Sequence, residues 1–279
     1  MEERDFSIKV PEVDEAKALN SFVEWLQSNP NNFSFWFPKI CHCFDGNENI
    51  VVPKSLIIPV PENMLECLFG EKPDDYNIVS DWFHKEVIQK IRETFPDNKE
   101  LFIKNGCFSG KFDFDKNCHI WNVDVETLVK NFMSLSMDSL CFDTGGNLEL
   151  IIREYISPKD DTLTIYNGMP FRPEIRMFYD FSNKRFCGES FYWDYDYCHE
   201  RICSDPDDAV VYEENYDGVY SQYEEYRDKW MPEIISILDN SNVDLSGVWS
   251  IDFILEEDRA IMIDMAVGQD SAYYKEEYG

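Results

Sequence analysis

Residues 249–271 read Trp-Ser-Ile-Asp-Phe-Ile-Leu-Glu-Glu-Asp-Arg-Ala-Ile-Met-Ile-Asp-Met-Ala-Val-Gly-Gln-Asp-Ser. Two apolar, β-prone runs flank a short charged turn, the pattern of a hairpin. Each run carries one carboxylate in an otherwise apolar strand, Asp252 and Asp264. A lone carboxylate is costly to bury without a cation beside it, so two of them on paired strands point to a divalent ion. The turn decides their geometry. A turn over residues 257–259 places Asp252 directly across from Asp264, where opposed residues share a sheet face. A two- or four-residue turn sends them to opposite faces, because a slip of one residue inverts the pleat.

The rest of the chain sets bounds on this reading. Its 279 residues suffice for one large domain or two lobes around a cleft. Hydrophobic residues make up 44% and aromatics 15%, enough to build a core despite the charge. Acidic residues number 55 against 25 basic, a net charge of -30. Such a surface repels phosphate backbones and anionic membranes and favours a basic protein surface, although solubility explains the same excess. Nucleic acid is therefore excluded as a partner unless a local basic groove overrides the field. The nine cysteines are scattered and odd in number, which fits reduced thiols in a cytoplasmic protein better than a disulfide framework. No apolar run approaches the roughly 20 residues of a membrane helix, and the acidic N-terminus lacks a signal-peptide apolar region.

Periodicity predicts helices over 14–28, 78–95, 124–135 and 219–239. Strands are predicted over 55–60, 100–105 and 148–156, with a hairpin of 171–180 and 184–194 turning at Ser182-Asn183. Residues 33–60 read as irregular or extended, and 196–217, rich in Asp, Glu and Tyr, as a surface insertion. Mixed strands and helices without strict alternation give an α+β class.

Several charged residues interrupt these elements. Lys104 lies in the strand Phe102-Ile103-Lys104, and Lys111 follows the small-residue loop Ser109-Gly110. Two lysines around such a loop serve as point charges for phosphates, whose approach Gly and Ser permit. No Gly-x-x-x-x-Gly-Lys-Ser/Thr loop is present, and lysines near a loop are also ordinary solvated surface. Arg153 and Glu154 break the strand 150–156. Glu174 and Arg176 break 173–178 and share one face by alternation. They mark either a polar cleft or an amphipathic edge strand. Cys41-His42-Cys43 and Cys198-His199 with Cys203 lack the Cys-x-x-Cys spacing of structural zinc.

In order, a strand lysine, a loop lysine, a charged strand end, a Glu-x-Arg strand and a two-aspartate hairpin resemble an ATP-grasp protein. Phe33-Ser-Phe-Trp-Phe-Pro38 and Ser55-Leu-Ile-Ile-Pro-Val-Pro61 are similar to the opening of the cell division cycle protein 123 family. Further similar islands are Phe102-Ile-Lys-Asn105, Glu149-Leu-Ile-Ile-Arg153, Glu174-Ile-Arg-Met-Phe178 and Ile263-Asp264. A more distant likeness is to the bacterial and phage ATP-grasp clade with one arginine and two lysines, whose ending resembles Asp264 to Ser271.

The resemblance implies an ATP-grasp fold, α+β, with two lobes clamping ATP and Mg2+. Residues 1–32 would be an N-terminal extension, 33–153 the first lobe and 154–279 the second. Lys104 would contact the α- and β-phosphates and Lys111 their loop side. Arg153, Glu154, Tyr155 and Ile156 would form the hinge that reads adenine. Arg176 would neutralise the terminal phosphate, placed with help from Glu174, so that Arg176 and Lys111 are the catalytic candidates. Asp252 and Asp264 would hold the metal. The family places Asn two residues after the second aspartate, where this chain has Ala266; Asp270, Gln269 or water would supply the missing oxygen. The family's function implies an assembly chaperone for a partner like the γ subunit of translation initiation factor 2. The general ATP-grasp chemistry implies instead a carboxylate–amine or carboxylate–thiol ligase working through an acyl phosphate. A third reading has the charged strands as structure alone, with no ATP.

Overall fold

Alternation along two sheets separates an oily face from a charged one in each, and the charged faces meet. The structure, a computed structural model, describes residues 15–68, 75–97, 100–141 and 147–279. Residues 1–14 of the expected N-terminal extension lie outside the described residues. In chain order the elements are α1 (Glu15–Ser28), α2 (Phe33–Ile40), β1 (Ile50–Val51), β2 (Ser55–Pro59), α3 (Leu65–Leu68), α4 (Asp75–Trp82) and α5 (Ile88–Thr94). Next come β3 (Leu101–Asn105), α6 (Phe114–Asn117), β4 (His119–Ile120), α7 (Val125–Cys141), β5 (Glu149–Glu154), β6 (Thr164–Ile165) and β7 (Met169–Pro170). The chain ends with β8 (Glu174–Asp180), β9 (Arg185–Phe191), α8 (Tyr195–Ile202), α9 (Pro206–Asn240), β10 (Val248–Leu255) and β11 (Ala260–Val267).

In the first lobe, β2, β5, β3 and β4 lie side by side in that order, antiparallel. Ile58, Leu101, Ile103, Leu150 and Ile152 point from this sheet into a core shared with α1, α4, α5 and α7. The intervening residues Phe102, Lys104, Ile151 and Arg153 therefore face the other way. In the second lobe the order is β1, β11, β10, β8, β9. Ile175, Met177, Tyr179, Ile251 and Phe253 pack on one side with Tyr223, Trp230 and Ile234 of α9. Glu174, Arg176, Asp252 and Ile254 take the opposite side. The expected α+β fold of two lobes around a cleft is the fold observed.

The lobe boundaries differ from the expected ones. Phe33, Trp36, Ile40, Phe44 and Ile50 pack with the second sheet's core, and β1 pairs with β11. The segment 33–51 therefore belongs physically to the second lobe. Val23 and Leu26 of α1 are buried in the first-lobe core, so the described part of the extension is integral to that lobe.

Part of the stretch expected to be irregular or extended, and the expected surface insertion, are helical. Residues 33–40 form α2, because Phe33, Trp36 and Ile40 recur at i, i+3 and i+7 and are completely buried. The 196–217 stretch supplies α8 and the first turns of α9. Asp205 caps α9, its Oδ1 accepting from the amides of Asp207 at 2.9 Å and Asp208 at 3.3 Å, and Pro206 occupies the first turn. The expected helix over 78–95 runs from α4 to α5 through one π-helical segment, Phe83–Val87.

Candidate functional site: a charged cleft between the two sheets

The terminal hairpin solves its parity problem in an unexpected way. Leu255 pairs with Ala260 and Phe253 with Met262, the register of an even-numbered turn. Left regular, it would place Ile263 opposite Asp252 and turn Asp264 into the core. A β-bulge after Phe253 skips Ile263, and Asp252 pairs with Asp264. The core residues record the switch: Met262 and Met265, three apart rather than two or four, both face α9. Asp252 also pairs with Arg176 across β10 and β8. Arg176, Asp252 and Asp264 thus form one row across three strands on the cleft face.

The bulge is held from the other lobe. The Ile263 carbonyl accepts a hydrogen bond from Arg153 Nη1, while Arg153 Nε donates to Ser55 Oγ at 3.0 Å. Burial lowers the Arg153 guanidinium to about 10, and Asp264 opposes that shift. Lys104 reaches across in the same way. Its Nζ lies 2.8 Å from both Asp264 Oδ1 and Oδ2, with the lysine side chain 3% and the aspartate 37% exposed.

Within the second sheet, Arg176 grips Asp252 through two bonds, Nε–Oδ1 at 2.8 Å and Nη2–Oδ2 at 2.6 Å. Burial works against the Arg176 charge, but Asp252 outweighs it and holds the guanidinium above its ordinary range. Lys111 begins a short three-ten turn and donates to the Tyr192 hydroxyl. Burial, then the Arg176 charge, lowers its pKa, with Glu174 and Asp252 opposing. Glu174 is raised to about 7 by burial, against the pull of Arg172 and Lys111.

Most of these residues line one open-sided cleft between the two sheets. Lys104, Lys111, Arg153, Glu154, Tyr155, Ile156, Glu174, Asp252 and Asp264 all contribute to its wall. Phe102, Phe114, Met169, Pro170 and Ile254 make the remainder largely apolar. The cleft thus combines apolar walls with paired charges. Arg176 stands in the row behind Asp252. Asp270 is a correction to the predicted set. It is exposed in the three-ten turn Gly268–Asp270, outside the cleft wall, with its Oδ2 accepting from Asn31 Nδ2 at 2.9 Å. The three-ten turn directs its side chain to the N-terminal segment and away from the aspartate row.

Two residues of the cleft carry no sequence signal. Arg172 lines it, and its Nη2 donates to the Ile156 carbonyl at 3.4 Å. Tyr192 lines it from the end of β9 and meets both Lys111 and the Arg176 guanidinium, 5.3 Å from its ring centre. Arg172 sits in an Arg-Pro loop and Tyr192 in an aromatic run, neither of which has periodicity to exploit.

The fold has a counterpart among known structures. C-terminally truncated Cdc123 from Schizosaccharomyces pombe superposes with a TM-score of 0.50 at 17% identity, over 91% of this chain and 88% of that one. Cdc123 from the same organism gives 0.46 at 18% identity, over 87% and 85%. D-alanyl-alanine synthetase A from Vibrio cholerae O1 biovar eltor gives 0.32 at 11%, over 77% and 50%. No protein-family model matches the chain, and no curated protein matches it by sequence. Among the described residues no helix is long and apolar enough to cross a membrane. By its fold, this chain is similar to Cdc123.

Proposed function

We propose that the cleft binds ATP with Mg2+. The reading rests on one observation: two basic groups, the buried Lys104 and the half-buried Arg176, are each held by a two-bond contact to an aspartate of a single cross-strand row. Cations and carboxylates of this kind neutralise one another without ligand and suit the two halves of a metal–phosphate group with it. Mg2+ takes one or two protein carboxylates and completes its shell with phosphate oxygens and water. Asp252 and Asp264 fit that requirement. Lys104, Lys111 and Arg176 would face the phosphates, and the apolar walls with the backbone of 154–156 would take the adenine.

The chain would then act as a nucleotide-dependent binding protein for a basic-surfaced partner similar to the γ subunit of translation initiation factor 2. Supporting this is the likeness to the cell division cycle protein 123 family together with the net charge of -30. A carboxylate ligase using the same cleft would differ in consuming ATP.

A thermal-shift titration with ATP and Mg2+ tests the proposal. At 100 times its dissociation constant, a ligand stabilises by about 2.7 kcal/mol. Wild type should show such a shift, and Asp264→Ala should lose it. No shift in wild type rejects nucleotide binding. A shift without ADP release in mixtures of amines, thiols and carboxylates supports the binding protein, and steady ADP release supports the ligase.

A further inference from the structure

Helix α8 carries His199, and Cys203 follows one turn later as its C-terminal cap. Residues four apart lie on the same side of a helix. Glu213, in the third turn of α9, comes up against both. His199 Nε2 and Glu213 Oε1 are 3.1 Å apart, and Cys203 Sγ donates to the same oxygen at 3.9 Å. All three donor atoms lie within 4.8 Å of one another, and among the described residues no other trio of His, Cys, Asp or Glu does so.

We propose that His199, Cys203 and Glu213 form a binding site for a zinc-class divalent ion, separate from the nucleotide cleft. A tetrahedral ion with bonds of about 2.0–2.3 Å spaces its donors roughly 3.3–3.8 Å apart. The observed separations bracket that range, so the trio needs only to close in around the metal. The donors are a sulfur, an imidazole nitrogen and one carboxylate oxygen, a set that selects zinc over magnesium or calcium. One Glu213 oxygen now faces both the His199 ring nitrogen and the Cys203 thiol; the ion would displace the thiol proton to solvent and take Nε2 of the neutral imidazole, whose proton then sits on Nδ1, and water would fill the fourth position. The Tyr195 ring, 4.5 Å from that of His199, limits the rotation of the imidazole. The acidic surface raises the local concentration of cations around the site. The site joins α8 to α9 across the Ser204-Asp205 connection. The Cys-x-x-Cys test fails here because the third ligand comes from the next helix, ten residues beyond Cys203.

Cobalt(II) is the probe, titrated into the reduced full chain in the presence of excess Mg2+. One equivalent should produce a thiolate-to-cobalt charge-transfer band that zinc then bleaches. The band reports sulfur ligation, so the oxygen donors of the cleft do not contribute to it. Cys203→Ser should abolish it. His199→Ala and Glu213→Gln should each weaken zinc binding by at least about 100-fold, since even outer-shell losses cost 10- to 100-fold. Cys43→Ser and Cys198→Ser should leave the band intact. All five positions are at least partly exposed, and circular dichroism checks that each variant is folded. Absence of the band in wild type, its survival in Cys203→Ser, or unchanged zinc affinity in both His199→Ala and Glu213→Gln overturns the proposal.

Discussion

Lys104 and Asp264 are 160 residues apart in the chain and meet across the cleft at 2.8 Å, the lysine buried and the aspartate partly open to solvent. This pair joins β3 of one lobe to β11 of the other. It also blocks the cleft electrostatically, because the charge that would attract a phosphate is already neutralised. On the proposed function, a metal on the aspartate would release the lysine and so would couple metal binding to phosphate binding.

Lys104→Met keeps the unbranched, apolar stem of the side chain to within one atom and removes its charge. ATP affinity measured by calorimetry should fall about 10- to 100-fold, or roughly 1.4–2.8 kcal/mol. An unchanged dissociation constant would take Lys104 out of the phosphate site.

Asp264→Ala leaves the Lys104 ammonium buried and unpaired. Losing one partner of a fully buried pair costs about 3–5 kcal/mol. Asp264 is 37% exposed, so about 1–3 kcal/mol is expected here. The double variant Lys104→Met/Asp264→Ala should recover part of the loss in urea denaturation. Strict additivity of the two changes would show that the pair contributes no coupling.

Glu174 gives a pH signature. Its folded-state pKa, about 7, lies above the ordinary 4.5 because the carboxylate is buried, with Arg172, Lys111, Asp252 and Arg176 around it. The folded form therefore binds this proton more tightly than the unfolded chain does. The resulting penalty is absent below about 4.5, grows as pH rises and is complete above about 7. Wild-type stability should fall between pH 5 and pH 8 more steeply than that of Glu174→Gln. Parallel urea midpoints for the two proteins would contradict the assignment.

Arg153→Lys preserves charge but cannot bond Ser55 and the Ile263 carbonyl with one rigid fork. Loss of one such bond costs about 1–2 kcal/mol. Amide exchange should accelerate in the β10–β11 hairpin around residue 263, far from the substitution in sequence. Exchange raised only near residue 153 would mean that the bulge does not depend on the other lobe.

Asp205→Ala removes the side-chain cap of α9 and should cost about 1 kcal/mol in thermal unfolding, with Asp205→Asn close to wild type. A midpoint equal to wild type for the alanine variant would assign the start of α9 to Pro206 alone.

Much of this architecture is legible in residue order. Period-2 and period-3.6 patterns locate β3, β5, β8, β9, β10, β11 and α1 close to their observed limits, while α7 runs six residues past its expected end at 135. The charged interruptions at Lys104, Arg153, Glu174, Asp252 and Asp264 identify the cleft faces, because such residues are too costly to place in strands without a purpose. Helices α2 and α8 were hidden: an aromatic run and an acidic Tyr-rich run satisfy several templates, and only burial against the second sheet selects the helical one.

Sequence alone determined that two aspartates would sit on paired strands of an acidic α+β chain with basic residues on earlier strands. Tertiary structure decided which way they point. The turn at Glu257-Asp258 is of the wrong parity, and a bulge at Ile263 restores the face. That bulge leaves a carbonyl outside the strand ladder, and its donor, Arg153, belongs to the other lobe. Local pattern fixes pairing because the pleat repeats every two residues. A bulge breaks that repeat, and what stabilises it is a contact 110 residues away in the chain.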